Sequence, residues 1–386
     1  MEIVLSDDNP VALARALAPL LAAHADHADH HGRLCEGTVA MLREAGMFRL
    51  ATPQIYGGGQ AGVLAGVEVC AELARGCASS SWLVGIAYGG ALFATHMPDT
   101  VRECVWGKDP DVIVCGAANP SGVVTDVSDG VVLNGKWPMV SGIRHSSWVM
   151  LGIRHRGARG LAAVPAAEVE IASTWAAAGM RATASDTAVV ENLHVPQARL
   201  LTFDQIADGS RYRPDEPRVT FPQSINMPLV GTGIGIAQAV LDNVVRAVSG
   251  GKRSVSPLHE LAADVPMNHA AVADAATLID SARLHAFRAA DELDAAAAQG
   301  RRPDVEARAR LRNDGSYAMS SARRAVAVLL DVAGSSSFID TSMLQRSWRD
   351  IETASRHAAL SLHTSSEIYG RVLLGRELPA AARVIT

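Results

Sequence analysis

The chain has 386 residues, long enough for two or three domains and a large core. Its composition, 48% hydrophobic and 19% charged, fits a globular protein, and a net charge of −5 gives no reason to expect nucleic acid or an anionic membrane as a partner. Five cysteines without a C-x-x-C pair argue against a disulfide framework or a zinc site.

The compartment follows from what the sequence lacks. The amino terminus has neither the basic region nor the apolar run of a signal peptide. We expect no apolar run long enough for a bilayer span, and the cysteine usage favours a reducing environment. We therefore expect a cytoplasmic protein with no membrane association.

Helical patterns dominate residues 1–110, which we predict to form an amino-terminal helical domain. Apolar residues recur at helical spacing through 10–48 and 63–75, and the hydroxyl residues 79–81 can cap a further helix. Four histidines within 24–31 share a helix face with two aspartates. We interpret them as a solvated face rather than a metal site.

The pattern changes at Asp111 to short runs rich in β-branched residues. One such run, 131–133, leads into Asn134-Gly135, a pair typical of a tight hairpin turn. Similar runs follow at intervals with no helical crossover between them. This predicts a central antiparallel β domain over residues 111–215, built as a small sandwich or barrel.

Long Ala-rich amphipathic helices return from Pro222 onwards. They are predicted at residues 226–249, 264–298, 303–332 and about 340–376. With short turns between them, they predict a carboxy-terminal helix bundle over residues 216–386, in which a face is buried between subunits. The predicted fold class is therefore α+β, mostly α.

The stretch around His357 is the strongest candidate for chemistry. A helix is predicted to end around Arg349-Asp350, so that His357 lies at a break before another helix, which Gly375 closes. A histidine beside a fixed Arg-Asp pair can exchange a proton near neutral pH. An isolated histidine would be an ordinary core residue, so its role depends on the rest of the chain.

Four local strings, in this order, resemble the acyl-CoA dehydrogenase superfamily over nearly the whole chain. They are Ala45-Gly46-Met47-Phe48 with Pro53 and Tyr56-Gly57-Gly58, Asn134-Gly135-Lys136-Trp137 with Ser141-Gly142, Gly179-Met180-Arg181 through Val195-Pro196, and Trp348-Arg349-Asp350. The resemblance implies the family's fold, with an amino-terminal helical domain, a central antiparallel β domain and a carboxy-terminal helix bundle. It also implies a homotetramer.

This chain lacks the carboxylate that distinguishes the dehydrogenases of the superfamily from its other members. The common dehydrogenases place a catalytic glutamate shortly after the Arg-Asp pair, where this chain has Arg356-His357. Removal of a thioester's α-proton needs such a base. The chain instead resembles the two-component, group D flavin-dependent monooxygenases built on this fold. That resemblance implies reduced flavin (FMN or FAD) and O₂ as cofactors, a separate NAD(P)H:flavin reductase, and oxygenation of a small aromatic or polyketide-like metabolite through a C4a-(hydro)peroxyflavin.

The resemblance also suggests roles for single residues. His357 would control protons at the flavin–substrate face, and Ser141 would donate a hydrogen bond near flavin N5. Trp137 would wall the flavin ring. Arg253 would contact a flavin phosphate, and the loop Gly334-Ser335-Ser336 would receive flavin from a neighbouring subunit.

Several alternatives stay open at this point. Related monooxygenases have a second histidine in the helix after the Ser-Ser-Trp string, where this chain has Gly89-Gly90; His96 comes later, and His145 lies near Ser141. The function could also be that of an acyl-CoA dehydrogenase-type oxidoreductase with another base, an enzyme N-oxygenating an amino sugar, or a flavin-free binding protein. The sequence places no charged anchor in the pocket, which favours a neutral, flat substrate over a CoA ester.

Overall fold

The computed structural model describes residues 9–211, 213, 216, 218–379 and 382. The expectation that no leader is present rested on the first eight residues, which lie outside this range. The predicted domain boundary at Asp215 also falls on a residue outside it.

Five helices precede the sheet. They are α1 (Pro10–His31), α2 (Glu36–Glu44), α3 (Val63–Ala74), α4 (Ala78–Ala94) and α5 (Asp99–Trp106). The Asn9 side chain caps α1 by accepting from the backbone N–H of Val11, and Gly32 ends that helix in the left-handed conformation. Helix α4 is apolar on nearly every side because it lies buried between the sheet and the later helices.

Seven strands form one sheet in the order β5-β6-β2-β1-β3-β4-β7. They are β1 (Val114–Val127), β2 (Gly130–Val140), β3 (Trp148–His155), β4 (Ala158–Pro165), β5 (Glu170–Ala172), β6 (Asp186–Pro196) and β7 (Leu200–Thr202). All neighbours are antiparallel except β1 and β3, which run parallel. The predicted antiparallel β domain is confirmed as a largely antiparallel sheet, in which one part of β1 pairs with β2 antiparallel and the other part pairs with β3 parallel.

Six α-helices follow the sheet in the part of the chain that the structure describes. They are α6 (Phe203–Ala207), α7 (Gln223–Ser249), α8 (Pro266–Ala298), α9 (Val305–Ala333), α10 (Met343–Ala354) and α11 (Leu362–Leu373). The chain is thus mostly helical around a single, largely antiparallel sheet, as the sequence predicts. The helices before and after the sheet share one hydrophobic core. In it, α3 and α4 pack against α7, and α7 packs against α8 and α9.

Helix α7 is the central element of the later helices. By length and composition alone it could cross a membrane, but most of it is buried inside the protein, as expected for a core helix. The sequence predicts a helix at residues 226–249, and the structure begins it at Gln223; the helix contains Gly231, Gly233 and Gly235. Those glycines permit close packing: a Cβ at Gly231 would lie 2.2 Å from the Val67 carbonyl oxygen of α3.

The break at His357 is confirmed, but the preceding helix was placed too short. Helix α10 continues through Asp350 to Ala354, because the Asp350 side chain faces the interior instead of ending the helix. His357 then caps a short 3-10 turn before α11. Gly375 follows α11 with a φ of +61°, the left-handed conformation that the sequence predicts.

Candidate functional site

Three side chains from distant parts of the chain meet at one place, here called the indole cluster: Trp82, Ser141 and His357. Trp82, in α4, donates its indole N–H to the Ser141 hydroxyl oxygen over 3.2 Å. The same indole meets the His357 ring edge-to-face, with 5.6 Å between centroids. The two residues predicted to be catalytic therefore flank one buried tryptophan.

The backbone after Ser141 is shaped to lie against α4. Gly142 follows the end of β2 with a φ of +75°, and a Cβ there would lie 2.2 Å from the Leu83 side chain. Its N–H donates to the Thr183 carbonyl oxygen at 2.9 Å. Only glycine suits this position, so the turn places Ser141 directly beside Trp82.

A chain of hydroxyl groups leads away from Ser141. Its oxygen lies 2.8 Å from that of Ser185, which lies 2.7 Å from that of Thr183. Thr183 donates to the Met180 carbonyl oxygen at 2.8 Å. Ser185 and Thr183 are buried. We call Ser141, Ser185 and Thr183 the hydroxyl chain.

The Arg349-Asp350 pair holds the backbone that carries this chain. The Asp350 carboxylate accepts the Met180 N–H at 2.5 Å, while Arg349 donates to the Ala178 carbonyl oxygen and to Asp29. Burial, with the nearby charge of Asp29, raises the pKa of Asp350 to about 6. The pair that the sequence associates with His357 thus contacts the segment before Thr183.

His357 is exposed at the surface, yet enough protein atoms lie around its ring to desolvate it in part. This desolvation, together with the charge of Arg312, lowers the pKa of His357 to about 4. The sequence suggests a pKa near neutrality, whereas in this structure the ring is neutral at pH 7. Because its Nδ1 accepts from the Ala359 N–H at 3.4 Å, we assign the proton to Nε2, which can donate to a ligand.

A small, open pocket lies against the loop that follows His357. It is lined by Pro222, Gln223, Asn226, Met227, Val230, Leu311, Arg312, Gly315, Ala359 and Leu360. Arg312 is the one charged residue of this lining. The pocket is mostly apolar, with two amides and one guanidinium to orient a small ligand.

The carboxylates that precede His357 in α10 are engaged elsewhere. Glu352 pairs with Arg323 at 2.8 Å and with Arg356 at 2.6 Å. Asp350 is buried and bound to the backbone of Met180. Neither carboxylate is available as a base for a substrate beside His357.

Trp137 lies away from the indole cluster's open side. Its side chain is fully buried, with 0% exposure, in the core between the strands, and it donates to the Gly152 carbonyl oxygen at 2.8 Å. The ring has no surface left for a flavin. Its placement follows strand alternation, because Val131, Leu133 and Trp137 point to the same interior face.

The remaining predicted cofactor residues, Arg253 and the loop Gly334-Ser335-Ser336, form a second group together with Lys252; this group is here called the loop cluster. Lys252 donates to the Ser336 hydroxyl at 3.3 Å. Arg253 is 80% exposed and lies 3.6 Å from Glu260. Gly334 has a φ of +73° and a ψ of −172°, a conformation open almost only to glycine.

The two clusters lie far apart within one chain. Thr232 of α7 hydrogen-bonds Ser81, next to Trp82, whereas the loop cluster follows the end of α7 at Ser249. At 1.5 Å per residue that helical segment spans roughly 25 Å. One small group bound at Ser141 does not reach Arg253 of the same chain.

Neither position 90 nor His96 places a histidine in the indole cluster. A side chain at Gly90 is excluded, since a Cβ there would lie 2.0 Å from the Val114 carbonyl oxygen. His96 lies beyond the far end of α4, roughly 20 Å along the helix from Trp82, and hydrogen-bonds Leu92. Burial lowers the pKa of His145, and the charge of Arg33 lowers it further.

Two family models match separate parts of the chain. Residues 12–101 match the acyl-CoA dehydrogenase N-terminal domain, and residues 229–362 match the acyl-CoA dehydrogenase C-terminal domain. Together they cover more than half of the sequence.

Similar proteins extend the match over nearly the full length. The chain is 29% identical over 380 residues to the oxygenase component of an FADH₂-dependent resorcinol hydroxylase from Rhizobium sp., covering 94% of this chain and 93% of that protein. It is 29% identical over 375 residues to the oxygenase subunit HsaA of a flavin-dependent monooxygenase from Rhodococcus jostii, with coverage of 92% and 95%. The structure of XiaF from Streptomyces sp., in complex with FADH₂ and glycerol, matches with a TM-score of 0.90 and 28% identity over 96% of both chains.

Proposed function

Because this chain belongs to the acyl-CoA dehydrogenase superfamily, we propose that it is the oxygenase component of a two-component, reduced-flavin-dependent monooxygenase. A bound reduced flavin supplies the electrons that activate O₂. The protein's own task is to bind that flavin, orient the substrate, exclude water and hold protons in place.

The observation that carries this proposal is the indole cluster. Ser141 and His357 flank Trp82 without contact to the Glu352 carboxylate, which binds arginines instead. A dehydrogenase of thioesters needs a base at this face, and a neutral histidine with a pKa near 4 is a poor one for an α-proton. Oxygenation needs proton control and the exclusion of water, for which this cluster is suited.

Each residue of the cluster has a separate task. Ser141 would hydrogen-bond the edge of a bound flavin ring, and the buried Trp82 indole, which donates to Ser141, would shield that edge from water. His357 offers its Nε2–H to an oxygen of the substrate. An anionic ligand beside the histidine raises its pKa, so that it can take up a proton when substrate and flavin are both bound.

The substrate is a small aromatic or polyketide-like metabolite that becomes hydroxylated. Support comes from the mostly uncharged pocket beside His357 and from the full-length similarity to a protein named as a resorcinol hydroxylase. A separate NAD(P)H:flavin reductase supplies the reduced flavin by diffusion. The compartment in which both work is the cytoplasm.

The functional assembly is a homotetramer in which the loop cluster of one subunit faces the flavin of another. Support comes from the distance between the clusters and from exposed apolar side chains next to the loop cluster. These are Val255, Leu258, Phe338 and Ile339. Their burial between subunits is favourable. Sedimentation that shows only monomer at micromolar concentration contradicts this assembly.

The test is an oxygenation assay with a panel of phenols and isotopically labelled O₂. The purified chain is combined with a flavin reductase and NADH, and products are read by mass spectrometry. We expect a phenolic product that has gained one labelled oxygen atom, formed only when the chain is present. Dehydrogenation of acyl-CoA thioesters, without oxygenation of any phenol, overturns the proposal.

A further inference from the structure

The hydroxyl chain has a single proton arrangement that satisfies every contact. Each hydroxyl has one proton to donate, and a carbonyl oxygen can only accept. Thr183 must give its proton to the Met180 carbonyl oxygen, so the proton between Thr183 and Ser185 comes from Ser185. The proton between Ser185 and Ser141 then comes from Ser141.

This arrangement fixes what Ser141 can offer to a ligand. Its proton points to Ser185, and one of its two lone pairs accepts the Trp82 N–H. One lone pair remains. Ser141 can therefore meet a ligand only as a hydrogen-bond acceptor, whereas the sequence suggests a donor there.

We propose that Ser185 and Thr183 are positioning residues that hold Ser141 as an acceptor, so that the site favours reduced flavin over oxidised flavin. This inference rests on the proposed function, in which Ser141 hydrogen-bonds the N5 edge of the flavin ring. Reduced flavin carries an N–H at N5 and can donate to Ser141. Oxidised flavin has only a lone pair there, which meets the lone pair of Ser141.

The far end of the chain keeps this direction fixed. Reversing it would leave the Thr183 and Met180 oxygens 2.8 Å apart with no proton between them, a costly contact in a buried place. The Met180 backbone is itself held, since its N–H binds Asp350 and its carbonyl also accepts from the Trp175 indole at 3.0 Å. The direction of the Ser141 hydroxyl is thus set by groups outside the ligand site.

The test compares the binding of oxidised and reduced flavin in anaerobic titrations. Thr183→Val removes the acceptor of Ser185, and Ser185→Ala removes the acceptor of Ser141. Either change frees the Ser141 proton to donate to oxidised flavin. We expect both variants to bind oxidised flavin roughly 2–10-fold more tightly, the scale of one hydrogen bond, with little change for reduced flavin.

The midpoint potential of the bound flavin gives a second readout. If the variants bind oxidised flavin roughly 2–10-fold more tightly relative to reduced flavin, the midpoint potential falls by about 10–30 mV for a two-electron couple. Thr187→Val is the matched control, because Thr187 shares a hydroxyl pair with Thr174 on the exposed face of β6 at 2.7 Å. It should leave both affinities and the potential unchanged.

The outcomes separate this inference from the proposed function. If wild type binds both flavin forms and neither Thr183→Val nor Ser185→Ala changes their ratio, the hydroxyl chain does not orient Ser141 and the inference fails alone. If wild type binds neither form, the proposed function fails and the inference fails with it. Two variants are used so that a folding defect in one leaves the other as the test.

Discussion

The indole cluster and the loop cluster differ in how completely a single chain builds them. In the indole cluster, Trp82 and Ser141 are joined to each other, and Ser141 is joined to a buried chain of hydrogen bonds. In the loop cluster, Arg253 is mostly exposed and lies 3.6 Å from an exposed glutamate. The first has its geometry before any ligand arrives, whereas the second has room to meet another molecule.

The difference indicates a division of labour. Proton control at a reacting centre requires side chains held rigidly, and a buried hydrogen-bond network supplies that rigidity. Phosphate binding requires accessible positive charge, which Lys252 and Arg253 provide at the surface. We infer that chemistry belongs to one chain and that part of the cofactor binding belongs to its neighbour.

The largest expected effect comes from His357. His357→Ala should lower product formation by roughly 10²–10⁴-fold, the span for a general acid–base group, while folding and flavin binding persist. Product per reduced flavin after rapid mixing with O₂ and a phenol measures it. His363→Ala, an exposed histidine on α11, is the matched control and should behave as wild type.

If the His357→Ala variant hydroxylates the phenol at the wild-type rate, His357 has no role in the mechanism. His357→Glu adds a discriminating arm. It should not convert the chain into an acyl-CoA dehydrogenase, because the pocket must also accept the thioester. Efficient thioester oxidation by that variant would show that the site differs from a dehydrogenase only in its base.

The loop cluster is probed through Arg253. Arg253→Ala should weaken flavin binding by roughly 10–100-fold, since a hydrogen bond to a charged group contributes about 1.5–3 kcal/mol. Product formed per bound flavin should stay unchanged, because the indole cluster is untouched. Arg246→Ala, an exposed arginine near the end of α7, controls for loss of charge alone. Equal flavin affinities in all three proteins would remove Arg253 from the cofactor site.

A smaller effect is expected for Ser141. Ser141→Ala loses one hydrogen bond to the flavin, worth about 0.5–1.5 kcal/mol, and should raise hydrogen peroxide release per product by roughly 2–10-fold. Peroxide and product are measured in the same reaction. Ser146→Ala removes a nearby hydroxyl that donates to the Gly142 carbonyl oxygen, and it should not change the ratio. An unchanged ratio for Ser141→Ala contradicts its role.

The smallest effect concerns stability and pH. The folded pKa of His357 lies near 4 and the unfolded value near 6.5, so the unfolded state takes up a proton first on acidification. The free energy of unfolding should therefore fall as pH drops from about 6.5 towards 4. Urea unfolding at pH 7 and pH 5 should show a smaller drop for His357→Asn, which stays neutral.

Asp350 should change the free energy of unfolding with pH in the opposite direction to His357, so it serves as an internal check. Its folded pKa is raised to about 6, so the folded state binds the proton first and acidification from pH 6 towards 4 favours folding. Asp350→Asn removes that gain. If both variants change the pH dependence in the same direction, the two environments are not as the structure has them.

How far the sequence could predict these regions depends on the kind of contact. The order of helices and strands, the break at His357 and the left-handed Gly375 follow from local patterns, and all are present. Trp137 was misplaced although strand alternation with Val131 and Leu133 already pointed its ring to the interior. That signal was available in the sequence.

The hydroxyl chain was not predictable in the same way. Ser141 follows the end of β2 and Ser185 precedes the start of β6, and Trp82 belongs to a helix far from both in sequence. No periodicity relates such residues, because the contact depends on how the sheet docks on α4. Helix α10 likewise continues past its predicted end. The Asp350 side chain points to the interior there because it accepts the N–H of Met180, a residue far away in the sequence.

The most direct measurement is a crystal structure of the protein soaked anaerobically with reduced flavin. The account predicts the flavin ring beside Trp82, with N5 within hydrogen-bonding distance of the Ser141 oxygen and with the phosphate near Arg253 of another subunit. A flavin bound elsewhere, or one that contacts Arg253 and Ser141 of the same chain, would contradict it.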